Sequence, residues 1–173
     1  MANEILVGVD GQVINVLEGD GPGILVSSIA GDDMLTGGAN ATNWLFGDAN
    51  TLSHSTGGND TIIAADDIWG DAATMINQST GGLDTFVFAL NNGNDVIHDF
   101  RQGDVIDLDG FTDLPAASAV AKLSMTFADL NIETIDTNSD GIRDSSVIQL
   151  DSQNSVTVIE VTGLLASDFL FIA

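Results

Sequence analysis

The chain has 173 residues and carries 26 acidic residues against three basic ones (Arg101, Lys122 and Arg143), a formal charge of −23. That balance argues against nucleic-acid phosphates and anionic membranes as partners, and the lack of cysteine excludes disulfides, thiolate metal sites and cysteine nucleophiles. A hydrophobic content of 44% argues against disorder throughout, so the chain must fold although its carboxylates repel one another.

Residues 1–30 read as N-terminal capping strands at 4–9, 12–17 and 24–29, with Gly19-Asp20-Gly21-Pro22-Gly23 as a turn. The opening Met1-Ala2-Asn3-Glu4-Ile5-Leu6-Val7 has no Lys or Arg and is not a secretory signal. No apolar run approaches the roughly 20 residues of a membrane span.

Residues 31–108 repeat one phrase: glycine, any residue, aspartate, any residue, then a large apolar side chain. It stands at Gly31–Leu35 in the form Gly31-Asp32-Asp33-Met34-Leu35, then at Gly58-Asn59-Asp60-Thr61-Ile62, Gly82-Leu83-Asp84-Thr85-Phe86 and Gly93-Asn94-Asp95-Val96-Ile97. A longer period separates Gly47 from Gly70 by 23 residues and Asp60 from Asp84 by 24, the mark of a stacked, solenoid-like coil. Segments 50–56 and 73–80 are expected to loop out of that coil. The apolar residues Leu35, Leu45, Ile62, Ile68, Phe86 and Ile97 are expected to point inward, because alternate strand residues face opposite sides.

Residues 109–173 read as a C-terminal cap, the whole chain forming one continuous domain. The cap contains the one expected helix, at 116–123, and a strand pair at 146–150 and 155–161 joined by Asp151-Ser152-Gln153-Asn154. Phe169, Phe171 and Ile172 are expected to pack into the core.

Carboxylates set between glycines form a hard oxygen ligand set, since glycine lets neighbouring turns approach and exposes their carbonyls. Such a set suits calcium, which takes six to eight oxygens at flexible geometry, better than magnesium with its strict octahedron. One Gly-x-Asp alone is an ordinary turn. Four copies, with variants at Asn43 and Asp66, on so acidic a chain point to several bound calcium ions. The expected ligands are Asp33, Asp60, Asp84 and Asp95, with Gly31, Gly58, Gly82 and Gly93 as carbonyl donors or turn-formers. Asp99, Asp107 and Asp66 are further candidates, and Asp48 and Asp71 either bind metal or cap their loops.

The phrase Gly-Gly-x-Gly-x-Asp plus an apolar residue resembles the nonapeptide of RTX (repeats-in-toxin, hemolysin-type) calcium-binding proteins. Residues 84–108, with Asp84-Thr85-Phe86-Val87-Phe88 and Gly103-Asp104-Val105-Ile106-Asp107-Leu108, are similar to the C-terminal module of serralysin-type proteases. Gly163-Leu164-Leu165-Ala166-Ser167-Asp168-Phe169-Leu170-Phe171 looks like the tail that type I secretion machinery recognises. The resemblance covers about residues 29–173. It implies an all-β parallel β-roll, a right-handed β-solenoid, with a short antiparallel C-terminal part. It further implies extracellular export without an N-terminal signal peptide and folding on calcium outside the cell.

Three other signals point elsewhere. Asp136-Thr137-Asn138-Ser139-Asp140-Gly141 resembles the front of an EF-hand loop, but Val147 stands where a bidentate Glu belongs, so a polar hairpin turn is the competing reading. His98 beside Asp99 reads as hydrogen-bonded structure rather than acid–base catalysis, and no nucleophile triad or metalloprotease helix occurs, so a non-enzyme is expected. Trp44 and Trp69 read as packing, with sugar stacking as the alternative. Two rival functions remain: the secretion and folding module of a larger secreted protease, lipase or polysaccharide epimerase, and a calcium-dependent adhesive unit recognising glycans or itself.

Overall fold

The computed structural model describes residues 1–63, 66–89, 92–110 and 126–171. It is an all-β solenoid in which successive turns lay one short strand on each of three faces. The first turn supplies Ile5–Val7 (β1), Ile14–Glu18 (β2) and Ile24–Val26 (β3). The second supplies Met34–Thr36 (β4), Thr42–Phe46 (β5) and Thr51–Ser53 (β6), and the third Thr61–Ile63 (β7), Asp67–Trp69 (β8) and Thr74–Ile76 (β9). A fourth turn begins with Thr85–Ala89 (β10) and Asn94–Ile97 (β11), then returns to the first face through Val105–Gly110 (β12) with no strand on the third. Every pairing between these turns is parallel.

The C-terminal part closes the coil differently. Ser155–Val158 (β15) adds to β11 in parallel, and Ser145–Gln149 (β14) and Asn131–Ile135 (β13) extend that face as antiparallel strands. Phe169–Leu170 (β16) ends the first face beside β12. The antiparallel pair expected from the alternating pattern is thus present, and β13 is an addition to it. Among the described residues only two 3-10 turns, Phe127–Asp129 and Ala166–Asp168, are helical in any sense. The helix expected at 116–123 lies outside the described residues, and no described helix is long and apolar enough to cross a membrane.

Most of these short strands bury one to three side chains, and their register stacks those into columns. Leu35, Ile62, Phe86 and Ile106 align along the first face, and Leu45, Ile68, Ile97 and Val158 along the second. All eight have no exposed surface, and the six of them singled out from the sequence point inward as expected. A second, smaller cluster of Leu25, Ala30, Ala49, Leu52 and Ala72 lies under the third face.

One expectation about organisation needs correction. Segments 50–56 and 73–80 do not leave the coil: they carry β6 and β9, the third face, where Leu25, Leu52 and Met75 stack in register. In residues 1–30, β1, β2 and β3 form the first turn with a strand on each face, each at the end of its sheet.

Candidate metal centre

Each turn passes three corners, and the stacking register brings one short polar residue to the same place on successive turns. At the corner leading into the first face stand Asp33, Asp60, Asp84 and Asp104. Each carboxylate accepts a hydrogen bond from the backbone N–H of its counterpart one turn earlier: Asp33 N–H to Asp60 Oδ1 at 2.7 Å, Asp60 N–H to Asp84 Oδ1 at 2.9 Å and Asp84 N–H to Asp104 Oδ1 at 3.1 Å. The Glu4 N–H completes the ladder on Asp33 Oδ1 at 2.6 Å. The sequence separations across these four bonds fall from 29 to 27, 24 and 20 residues, so the ladder holds position while the turn shortens.

One oxygen of each carboxylate is thereby used. The other, Oδ2 of Asp33, Asp60 and Asp84, is inaccessible to solvent and has no hydrogen-bond partner among the described residues. Asp104 is the exception, its Oδ2 accepting the Arg101 N–H at 2.8 Å.

The corner between the second and third faces repeats Gly-Asp. Asp20, Asp48 and Asp71 reach across the base of the third face to the glycine-rich turn opposite, accepting the N–H of Gly31 at 2.8 Å, Gly58 at 2.9 Å and Gly82 at 2.6 Å respectively. Asp48 Oδ2 is buried without a partner among the described residues, whereas Asp71 Oδ2 receives the Arg101 guanidinium.

These oxygens converge where glycine leaves room. A Cβ on Gly19 would overlap both Asp33 Oδ2 and the Gly47 carbonyl oxygen. One on Gly47 would overlap Asp60 Oδ2 and the Gly70 carbonyl, and one on Gly57 would meet Asp71 Oδ1 and Asp48 Oδ2. The missing side chains are therefore required by the fold, and each gap is lined by hard oxygen donors.

The third corner behaves differently along its length. Asn15, Asn43, Asp66 and Asp95 stack there, and the amide half satisfies itself. Asn15 Nδ2 donates to Asn43 Oδ1 at 2.9 Å, Asn43 Nδ2 donates to the Gly38 carbonyl at 3.0 Å, and Asp66 accepts the Asn43 N–H at 2.7 Å. Asp95 accepts from Asn92 Nδ2 at 2.8 Å, but its buried Oδ1 has no partner among the described residues. Asparagine thus fills the ladder position without needing a cation.

Burying these groups without counter-charge holds their protons on. Desolvation, then the Asp60 charge, pushes Asp48 up to about 9; desolvation pushes Asp60 to about 8; desolvation, then the Asp71 charge, pushes Asp84 to about 10. Asp95 rises to about 8 by desolvation. Asp20, Asp33 and Asp104 are raised for the same first reason. An ionised carboxylate in such surroundings needs a partner or loses its charge.

The donor set fits a hard divalent ion in kind: carboxylate and carbonyl oxygens, glycine gaps and orphaned oxygens aimed into them. Among the described residues no three acidic or imidazole side chains converge on one point, so backbone carbonyls have to contribute to any ion held here.

Asp33, Asp60 and Asp84 share one column and Asp48 and Asp71 another. Gly31, Gly58 and Gly82 hold Asp20, Asp48 and Asp71 through their N–H groups, and a Cβ on Gly58 or Gly82 would overlap the carbonyl of the glycine one turn below. Asp95 and Asp66 lie at the third corner, where Gly93 has φ of +95° and its carbonyl accepts the Ser155 N–H at 3.0 Å. Asp99 accepts the N–H groups of Gly70, Asp71 and Ala72 at 2.6, 3.0 and 3.3 Å, capping that turn; desolvation outweighs these bonds and raises it to about 6. Asp107 is half-exposed on β12, between the inward Ile106 and Leu108. The residues the sequence reading left out are Asp104 and Asp20. Asp104 follows the same rule as its column mates, with Ile106 two positions on and fully buried.

Three of the remaining signals, the 136–144 loop, His98 and Trp69, are held by hydrogen bonds or ring stacking. The 136–144 loop joins β13 to β14 and folds onto its own carboxylates, Asp136 accepting the N–H of Ser139 at 2.7 Å and of Gly141 at 2.9 Å. His98 stacks on Trp69 at a centroid distance of 4.2 Å and bonds Asp67 Oδ1 through Nε2 at 2.8 Å; Trp69 stacks in turn on Phe46 at 4.5 Å. Both Trp69 faces are covered, so this ring is packing. No protein-family model, curated protein or solved structure matches the chain.

Proposed function

We propose that this is a non-catalytic calcium-binding β-roll domain of RTX type whose solenoid closes when it meets calcium outside the cell. The observation that carries the proposal is the series of buried, unpartnered carboxylate oxygens on Asp33, Asp60, Asp84 and Asp48, three of them at glycine gaps that also receive a carbonyl or second carboxylate oxygen. At neutral pH such oxygens either take up protons against their ordinary range or meet a cation. Calcium ions at these separate gaps would be held by Asp33 with the Gly47 carbonyl, by Asp60 with the Gly70 carbonyl, and by Asp48 with Asp71 Oδ1, and each would neutralise charge while tying one turn to the next.

The function then follows from linkage. An ion that binds only the folded coil stabilises it by RT ln(1 + [L]/Kd), about 1.4 kcal/mol per site at a tenfold excess over Kd. Several sites supply a sizeable share of an ordinary domain's stability of about 5–15 kcal/mol. Extracellular modules bind calcium at roughly 10⁻⁴–10⁻³ M, far above cytosolic levels. Without calcium the coil is only marginally stable, so inside the cell the chain stays loose enough for export by a type I system; outside, calcium completes its folding.

The test is circular dichroism of chelated protein at neutral pH during calcium titration, with magnesium as control. The expected result is a cooperative gain of β signal with calcium and little with magnesium. A chelated protein already fully folded, unchanged by calcium, would remove the proposal.

A further inference from the structure

We propose that Arg101 is a tethered counter-cation, doing at the last turn what a metal ion does at the turn before it; this rests on the calcium reading above. Asp48 and Asp71 are one turn apart and equivalent: each gives Oδ1 to the N–H of the opposing glycine, Gly58 at 2.9 Å and Gly82 at 2.6 Å. Both are wholly buried. They differ in the second oxygen. Asp48 Oδ2 has no partner among the described residues, whereas Asp71 Oδ2 is bonded by Arg101 Nη2.

The guanidinium also lies 3.6 Å from Asp99 Oδ2, while the Arg101 backbone N–H holds Asp104 Oδ2 at 2.8 Å. It fills the gap above Gly81, where a Cβ would overlap Nη1 and Cζ; the corresponding gap at Gly57 is bordered instead by carboxylate oxygens of Asp71 and Asp48. Arginine remains charged at any working pH and presents several donors at once, so one side chain can satisfy Asp71 and reach Asp99 together. The turn carrying Arg101 is also the one in which the third face has ended, which lets residues 99–101 cut across onto Gly81.

Two consequences distinguish this level from the one below. It is ordered without metal, and it takes no ion at Asp71 Oδ2 while Arg101 is in place. Removing the guanidinium turns it into one more calcium site of the Asp48 kind.

The experiment compares wild type and Arg101→Gln by native mass spectrometry in excess calcium and by hydrogen exchange in chelator. The expected calcium count of R101Q is one higher than that of wild type. In chelated wild type the Gly82 amide should exchange about tenfold slower than the Gly58 amide, and in R101Q the two should match. Equal exchange of Gly58 and Gly82 in wild type, or an unchanged calcium count in R101Q, would overturn the role given to Arg101. So would an R101Q protein that fails to fold even in calcium, since the metal is expected to replace the guanidinium. Wild type that binds no calcium at all would instead remove the calcium reading itself.

Discussion

Asp60→Asn separates the two things the Asp60 carboxylate does. In metal-free protein its buried carboxyl is pushed up to about 8, against about 3.9 in an unfolded chain. The folded state therefore holds the proton more tightly, and the resulting stability is complete below the unfolded value and is lost as pH rises through the folded one. At pH 7 the chain has climbed about 3 pH units into that window, a loss of up to about 4 kcal/mol at roughly 1.36 kcal/mol per unit. Asparagine keeps Oδ1 for the Asp33 N–H and places a neutral amide at the gap shared with the Gly70 carbonyl, as Asn15 and Asn43 do at their own corner. Stability measured by urea denaturation at pH 7 in chelator should therefore rise by up to those 4 kcal/mol. The gain on adding calcium should shrink, by about 1.4 kcal/mol for one lost site at tenfold saturation. A variant that is weaker than wild type in chelator and gains as much from calcium would refute the reasoning.

The same carboxyls set a pH profile. With Asp48, Asp60, Asp84 and Asp95 all raised to between about 8 and 10, the melting temperature in chelator should fall steadily as pH rises from about 4 to 9, and saturating calcium should flatten that fall; a chelated protein most stable at pH 9 would contradict it. Calcium binding at pH 6 should release protons, visible as a buffer-dependent heat in titration calorimetry. Gly47→Ala drives a methyl into Asp60 Oδ2 and the Gly70 carbonyl, so the calcium-dependent folding step should move to much higher calcium. Gly11→Ala, at φ of +70° with no atom within 4 Å, should cost only about 1–2 kcal/mol with the calcium midpoint nearly unchanged. Phe86→Ala, in the fully buried column, should lose about 3–5 kcal/mol with or without calcium in an equilibrium melt.

The inward columns were legible in the sequence because each strand announces itself by a turn, an aspartate and one large apolar residue two positions later. Leu35, Ile62 and Phe86 obey that rule and are wholly buried. The rule cannot distinguish corners, however. Asp95, with Ile97 two positions on, carries the same local phrase as Asp84, yet it enters the second face while Asp84 and Asp104 enter the first. Only the stacking register separates them. The third face escaped notice because β6 and β9 have three residues each and show little apolar pattern: β6 buries Leu52 as its one large apolar residue, and all three residues of β9 are exposed. A turn that shortens from 29 to 20 residues also blurs the period at both ends, so only the middle offsets stood out. What no local pattern could give was Arg101 on Asp71, 30 residues apart and joined by the cut across the missing strand.

Anomalous diffraction from crystals grown at neutral pH in excess calcium would examine the central claim most directly. Calcium peaks beside Oδ2 of Asp33, Asp60 and Asp48, with carbonyl oxygens completing their shells, are the predicted result. Well-ordered density in which those three oxygens meet no ion would contradict it.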